Sequence, residues 1–221
     1  YTKFSSGQSN PTYLIETSKR KYVLRKKPEG ILLKSAHAVD REYRVQLALQ
    51  NSPIPVPRMY AYCDDVSILG TEFYIMEHLE GVCFEDPRLD VVPKHRRYSI
   101  FEEMSNILAE IHKIDLLNVG LSDYGPGVDY FARQIARWTK QYRSSETEQI
   151  ESMNQLILWL EKNTPTDDGK RCLVHGDFRL DNLLFDPKKN MCVAVLDWEL
   201  STIGHPFADL ASVLMQWSMP T

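Results

Sequence analysis

Between Cys172 and Glu199 the chain reads CLVHGDFRLDNLLFDPKKNMCVAVLDWE. A short apolar run, Cys172-Leu173-Val174, stops at His175-Gly176-Asp177, and Asn182 follows Asp177 closely. A nearly unbroken apolar run from Met191 to Leu196 then delivers Asp197 at its end. Buried strands read as such runs, and polar side chains emerge just past their ends. Two carboxylates and one carboxamide are therefore expected to leave strand ends around one tight loop.

That set suits phosphoryl transfer. The reaction needs hard oxygen ligands for Mg²⁺, few of them from protein, and a carboxylate that takes the proton of the attacking hydroxyl. In the protein-kinase pattern an Asp, an Asn shortly after it and a second Asp on the next hairpin divide those tasks. Asp177, Asn182 and Asp197 have that order and spacing. Arg179 could offset charge developing on the transferred group. Any one of these residues alone is better read as the cap of an Asx turn. The joint pattern with its flanking strands favours the catalytic reading.

HGDFRLDN followed by LDWELSTIGHPFADLA resembles the aminoglycoside phosphotransferase-like kinases, small-molecule relatives of the protein kinases. Within them, SGQSNPTY, YVLRKKP, REYRVQLAL and TEFYIMEHLEG resemble the kinase-like domain of acyl-CoA dehydrogenase family members ten and eleven. The likeness runs over almost all of the 221 residues. It implies an α+β, two-lobed protein-kinase-like fold. Residues 1–80 would form a small antiparallel-sheet lobe with one helix and a hinge at about 76–81, and residues 81–221 a mainly helical lobe lacking its last helices. It also implies ATP and Mg²⁺ as cofactors, and a small-molecule hydroxyl as acceptor, for the nearest branch a hydroxyacyl-CoA such as a 4-hydroxyacyl chain. A fused acyl-CoA dehydrogenase module would complete the full protein.

Taken in order, Thr2 to Thr17 has strand-like ends around a loop of small residues, Ser6, Gly7, Gln8, Ser9 and Asn10 among them. A plain turn between strands has the same composition. The resemblance makes the loop phosphate-covering, with one glycine where protein kinases use three. Lys21 to Lys27 alternates as a strand that puts Val23, Arg25 and Lys27 on one face. In the helical stretch Ala36 to Gln50, Glu42 falls within the apolar arc of Ala38, Val39, Tyr43, Val45 and Leu49. A carboxylate facing a core needs a cation, and the preceding strand offers Arg25. That pair would steady nucleotide phosphates or be a structural salt bridge, and either Arg25 or Lys27 could touch phosphate.

Strands are expected over Arg58–Cys63 and Thr71–Met76, with a turn starting at Asp64-Asp65. Met76 to Gly81 should link the lobes, and backbone groups of Glu77 to Leu79 would meet the adenine edge, leaving His78 an exposed linker residue. Helix-spaced stripes then follow: Ile100 to Ile114, Phe131 to Tyr142, and Ile150 to Leu160. They read as core. His112 reads as a structural hydrogen-bonder and His205 is unassigned. The resemblance implies that Asp209, in the first turn of a helix from Phe207, braces the catalytic loop.

Hydrophobic residues at 43% and charged residues at 25% are ordinary for a globular chain, and a net charge of −4 gives no general attraction to nucleic acid or anionic membrane. No apolar run reaches membrane-spanning length. Cys63, Cys83, Cys172 and Cys192 lack metal-ligand spacing and read as reduced core residues. An intracellular setting is expected, mitochondrial or peroxisomal in a eukaryote and cytoplasmic in a bacterium. The chain starts at Tyr1 without a methionine and reads as a fragment, so a targeting peptide would lie outside it. Rival readings are another acceptor (aminoglycoside, choline-like amine or sugar) and a nucleotide-binding module without catalysis. A protein kinase fits poorly, because no Ala-Pro-Glu follows Asp197.

Overall fold

The computed structural model describes residues 1–4, 10–30 and 37–218. Alternating and β-branched residues build a five-stranded antiparallel sheet from β1 (Thr2–Lys3), β2 (Thr12–Glu16), β3 (Lys21–Lys26), β4 (Met59–Cys63) and β5 (Phe73–Glu77), in the order β1-β2-β3-β5-β4. As the central strand, β3 is covered on both faces, so Val23, Leu24 and Arg25 are all buried. Its register places Arg25 opposite Tyr74 of β5. The expected turn at Asp64-Asp65 leads into one helical turn, α2 (Val66–Leu69), because the Asp65 carboxylate caps the Ser67 N–H and Gly70 closes the turn in a left-handed conformation.

Helix α1 (Val39–Leu49) joins two cores. Val39 packs with Val23, Met59, Tyr74 and Met76 under the sheet. Val45 and Leu49, further along, enter the larger core with Ile100, Ile111, Phe178 and Trp198. Of the stretch expected to be helical, Ala36 lies outside the described residues.

The rest holds helices α3 (Lys94–Lys113), α4 (Tyr130–Ser145), α5 (Glu151–Lys162) and α6 (Phe207–Ser218). Two small antiparallel pairs lie among them: β6 (Cys172–Val174) with β9 (Thr202–Gly204), and β7 (Leu183–Phe185) with β8 (Cys192–Val195). The apolar stripe of α3 is core, with Ile100, Met104, Ile107, Leu108 and Ile111 all buried. The stripes of α4 and α5 are not. No residue of α4 is buried, only Ile157 of α5 is, and Trp138, Leu158 and Trp159 stay half-exposed or more. The two helices pack on each other at the edge of the fold. Periodicity establishes that one helix face is apolar, not that a core covers it.

All four cysteines are free; Cys172 and Cys192 are buried as expected, whereas Cys63 and Cys83 are only partly covered and are not core residues. Among the described residues, no helix is long and apolar enough to cross a membrane.

Candidate active site

The end of β6 and the end of β8 are tied together by one ring. His175 is fully buried. Its Nδ1 accepts the Asp177 N–H at 3.2 Å and its Nε2 donates to the Leu196 carbonyl at 2.9 Å. Both contacts require the neutral tautomer protonated at Nε2, and burial pulls the ring's pKa below its usual value. One imidazole therefore sets the spacing between Asp177 and the residue that precedes Asp197. The Leu196 N–H also donates to the Asn182 carbonyl at 2.9 Å, joining the third member of the set.

Below this loop, Asp209 in the first turn of α6 accepts from His175 N–H at 2.9 Å, Gly176 N–H at 2.8 Å and His112 Nε2 at 3.0 Å. The bracing expected of Asp209 is present, and His112 is its hydrogen-bond partner. Gly176 sits at φ 87°, and a Cβ there would stand 2.7 Å from the Leu200 carbonyl oxygen. Gly176→Ala is expected to cost about 2–4 kcal/mol, since left-handed strain adds to a backbone clash that no rotamer relieves. Urea denaturation of the variant checks this.

Asn182 is held from two sides. Its Nδ2 donates to the Asp177 carbonyl at 2.8 Å and to Asp177 Oδ2 at 3.0 Å, which leaves its Oδ1 as a hard oxygen donor. Asp197 adopts φ 62°, ψ 56°, a left-handed conformation that Asp tolerates better than most residues. Its Oδ1 accepts from Arg25 Nη2 at 2.5 Å. The same guanidinium reaches Glu42 Oε2 through Nε at 2.9 Å and approaches Glu199 Oε2 at 3.8 Å. Burial pushes the Glu42 carboxyl up to about 7, with the Arg25 cation pulling against it. The Arg25–Glu42 pair expected from helix and strand periodicity is therefore present.

These residues open onto a cleft of about 1080 Å³. Val23 comes to it from the sheet, Leu184 and Leu196 from the other side, and Glu77, His78 and Leu79 from the connection between them. Arg25 lines this cleft and Lys27 does not. Two hinge expectations change. The Glu77 N–H is committed to the Arg58 carbonyl at 2.8 Å because β5 runs one residue further than expected, so it is not available to a ligand. His78 is half-buried and lines the cleft, so it is not a freely exposed linker residue. Arg179 sits at the rim, its Nη2 2.7 Å from Asp181 and its Nε 3.4 Å from Asp177. Of the small-residue loop, Ser6, Gly7, Gln8 and Ser9 lie outside the described residues; Asn10 is described and fully buried.

Sequence reasoning overlooked Glu199, which lines the cleft two residues after Asp197 and was within reach of the same motif. It also overlooked Tyr74, whose hydroxyl lies 3.4 Å from Gln46 Nε2; both residues line the cleft, and Gln46, on the Glu42 face of α1, is buried. Their place depends on strand register, which composition does not reveal. Unassigned His205 is structural: its Nδ1 accepts the Phe207 N–H at 3.1 Å and its Nε2 lies 3.3 Å from Asp168.

A sheet lobe and a helical lobe, with a cleft that gathers Arg25, Glu42, Asn182 and Asp197 beside Asp177, define a kinase-like phosphotransferase. The family model described as "Phosphotransferase enzyme family" matches residues 1–221, and the chain belongs to that family. It is 48% identical over 219 residues to acyl-CoA dehydrogenase family member 11 of Rattus norvegicus, covering 99% of this chain and 28% of the relative. It is equally identical to family member 10 of Mus musculus, covering 20% of it. The chain thus spans less than a third of the length of these relatives. A solved structure from Ralstonia eutropha, assigned as an aminoglycoside phosphotransferase, is similar with a TM-score of 0.88 and 44% identity, over 99% of this chain and 64% of that one. A thermostable mutant of the aminoglycoside phosphotransferase APH(4)-Ia, solved with ADP and hygromycin B, shares the fold with a TM-score of 0.68 at 18% identity, covering 96% and 70%.

Proposed function

We propose that the chain transfers the γ-phosphate of ATP to a hydroxyl of a small molecule, with Mg²⁺. The observation that carries this reading is a cleft lined by Asn182, Asp197 and Arg25, with Asn182 hydrogen-bonded to Asp177 and Asp197 paired with Arg25. Val23 on one side and Leu184 and Leu196 on the other suit the faces of an adenine. Among the described residues no cluster of three or more His, Cys, Asp and Glu forms a self-sufficient metal cage. The donor set, one carboxamide oxygen and one carboxylate, fits an ion that takes its remaining ligands from phosphates and water. Asn182 and Asp197 would hold Mg²⁺, which when bound neutralises charge on the transferring phosphates.

Asp177 takes the acceptor's proton. Asn182 Nδ2 holds one Asp177 oxygen, and the other, 3.4 Å from Arg179 Nε, is the one that takes the acceptor's proton. Arg25, pinned by Glu42, presents a fixed cation to the nucleotide, and Arg179 supplies a second cation at the rim where charge develops. The hinge residues Glu77 and Leu79 offer backbone groups to the adenine edge, with the Glu77 N–H excluded. Asn10 stands at the start of β2, on the side expected to face the phosphates; Ser6, Gly7, Gln8 and Ser9 lie outside the described residues. Residues 1–80 and 81–221 act as the two lobes around this cleft.

The names of the relatives favour an acyl-CoA bearing a hydroxyl, such as a 4-hydroxyacyl-CoA, as acceptor, and a full protein with an acyl-CoA dehydrogenase module beside this one. The test presents Mg·ATP with a panel of hydroxyacyl-CoAs, aminoglycosides, choline-like amines and sugars, and follows phosphorylated products by mass spectrometry. A phosphorylated hydroxyacyl-CoA, absent with Asp177→Ala, is expected. Phosphorylation of an aminoglycoside or sugar instead would reassign the acceptor, and no product with any class would contradict transfer.

A further inference from the structure

One hydrogen bond, from buried Asn10 to the cleft residue Glu199, joins residues 189 positions apart. Asn10 has no exposed surface, yet it is a polar side chain with both ends engaged. Its Nδ2 donates to Glu199 Oε2 at 3.2 Å, and its Oδ1 lies 3.1 Å from His37 Nδ1, which donates in the tautomer that satisfies the pair. The Asn10 carbonyl accepts from Thr12 Oγ1 at 3.0 Å, so the residue is built into the start of β2.

Glu199 stands on a rigid base. It follows Asp197 in a turn whose Trp198 is fully buried and donates to the Val195 carbonyl at 3.0 Å. Ser201, closing that turn, donates to the Trp198 carbonyl at 2.5 Å, and its Oγ lies 2.7 Å from the Tyr124 hydroxyl. Arg41 of α1 lies over the Tyr124 ring at 4.1 Å and donates to the Tyr124 carbonyl at 2.8 Å. The 197–201 turn is thus fixed to the helical lobe and to α1, and two of its side chains reach the sheet lobe, Asp197 at Arg25 and Glu199 at Asn10. A buried carboxamide is costly unless both ends are paired, as they are here.

We propose that Asn10 is a positioning residue. Through Glu199 it locks the start of β2 to the strand end that carries Asp197, so the backbone leading to the phosphates and the metal-holding carboxylate keep one register. This rests on the nucleotide-cleft reading above. It assigns Asn10 and Glu199 to alignment of the bound nucleotide, not to proton transfer.

The experiment is a double-mutant cycle in the full 221-residue chain, with Asn10→Asp, Glu199→Gln and the pair, reading Mg·ATP affinity by calorimetry and stability by urea denaturation. Asn10→Asp sets a carboxylate against the Glu199 carboxylate, and is expected to weaken Mg·ATP binding about tenfold or more while moving the urea midpoint little. In the pair, the amide introduced at position 199 donates to the carboxylate introduced at position 10. Donor and acceptor are exchanged, and affinity returns to within about threefold of the native chain. If Asn10→Asp does not fold, Asn10→Ser, which breaks the contact without adding charge, must weaken binding in the same direction. A native chain that binds Mg·ATP together with an Asn10→Asp variant that binds equally well, or a pair that does not recover, would overturn the lock alone. A native chain that binds no Mg·ATP would overturn the cleft reading itself and the lock with it.

Discussion

Asp177→Asn lowers turnover by about two to four orders of magnitude and leaves nucleotide affinity within a few-fold, the range expected when a positioned base is removed. The carboxylate is placed for this work by contacts that survive its loss. Its N–H still donates to His175 Nδ1, its carbonyl still accepts from Asn182 Nδ2, and Asp209 still holds the two preceding N–H groups. The loop should therefore keep its shape, and the loss should fall on kcat and kcat/KM together. Steady-state kinetics with the acceptor found by the panel, beside circular dichroism of the variant, checks the result. A fall of only a few-fold would mean that another group takes the proton.

Arg25→Met has the second largest effect, and it falls on stability as well as on nucleotide binding. Arg25 and Glu42 keep only 10% and 1% of their side-chain surface exposed, and Asp197 and Glu199 face the same guanidinium. Removing one partner of a buried ion pair strands the other, at a cost of about 3–5 kcal/mol. The penalty should depend on pH in a definite direction. Burial already lifts the Glu42 carboxyl from 4.5 to about 7, so the folded chain holds that proton more tightly than the unfolded chain. Stability from this group is therefore present in acid and is lost as pH rises through the folded value. Without Arg25 the main force opposing the lift is gone, and the variant can protonate Glu42 at neutral pH. The loss should be smallest well below about pH 7, where Glu42 is protonated with or without Arg25, and should grow as pH rises above it. Urea denaturation across that range tests it, and a loss that does not vary with pH would contradict a stranded carboxylate.

What could be read from the chain and what could not divide along a physical line. Asp177 and Asp197 were legible because each follows a strand end, and strands announce themselves as apolar runs; Asn182, which stands just before β7, was legible from its spacing after Asp177. Glu42 and Arg25 were legible because a carboxylate within an apolar helical arc requires a cation, and period two put one on the neighbouring strand. The apolar faces of α4 and α5 misled, because the same pattern serves a buried helix and one at the edge. The Asn10–Glu199 hydrogen bond was out of reach. Contacts between segments so far apart depend on register and lobe packing, and neither residue type signals the other. The double role of His175 was hidden for a similar reason. Its position beside Asp177 is plain in the motif, but its bond to the Leu196 carbonyl exists only once β6 and β8 end side by side.

The central claim is that Asn182 and Asp197 hold one divalent cation against a nucleotide beside Asp177. Mn²⁺ provides the most direct probe, because its electron paramagnetic resonance signal changes on binding. Titrating Mn·ADP into the native chain should produce a bound signal that Asp197→Asn and Asn182→Ala each weaken by about tenfold or more, since the first removes the anionic ligand's charge and the second removes the carboxamide oxygen. Asp177→Ala should leave it nearly intact. A bound signal that is equal in all four proteins, or none in the native chain, would contradict the account.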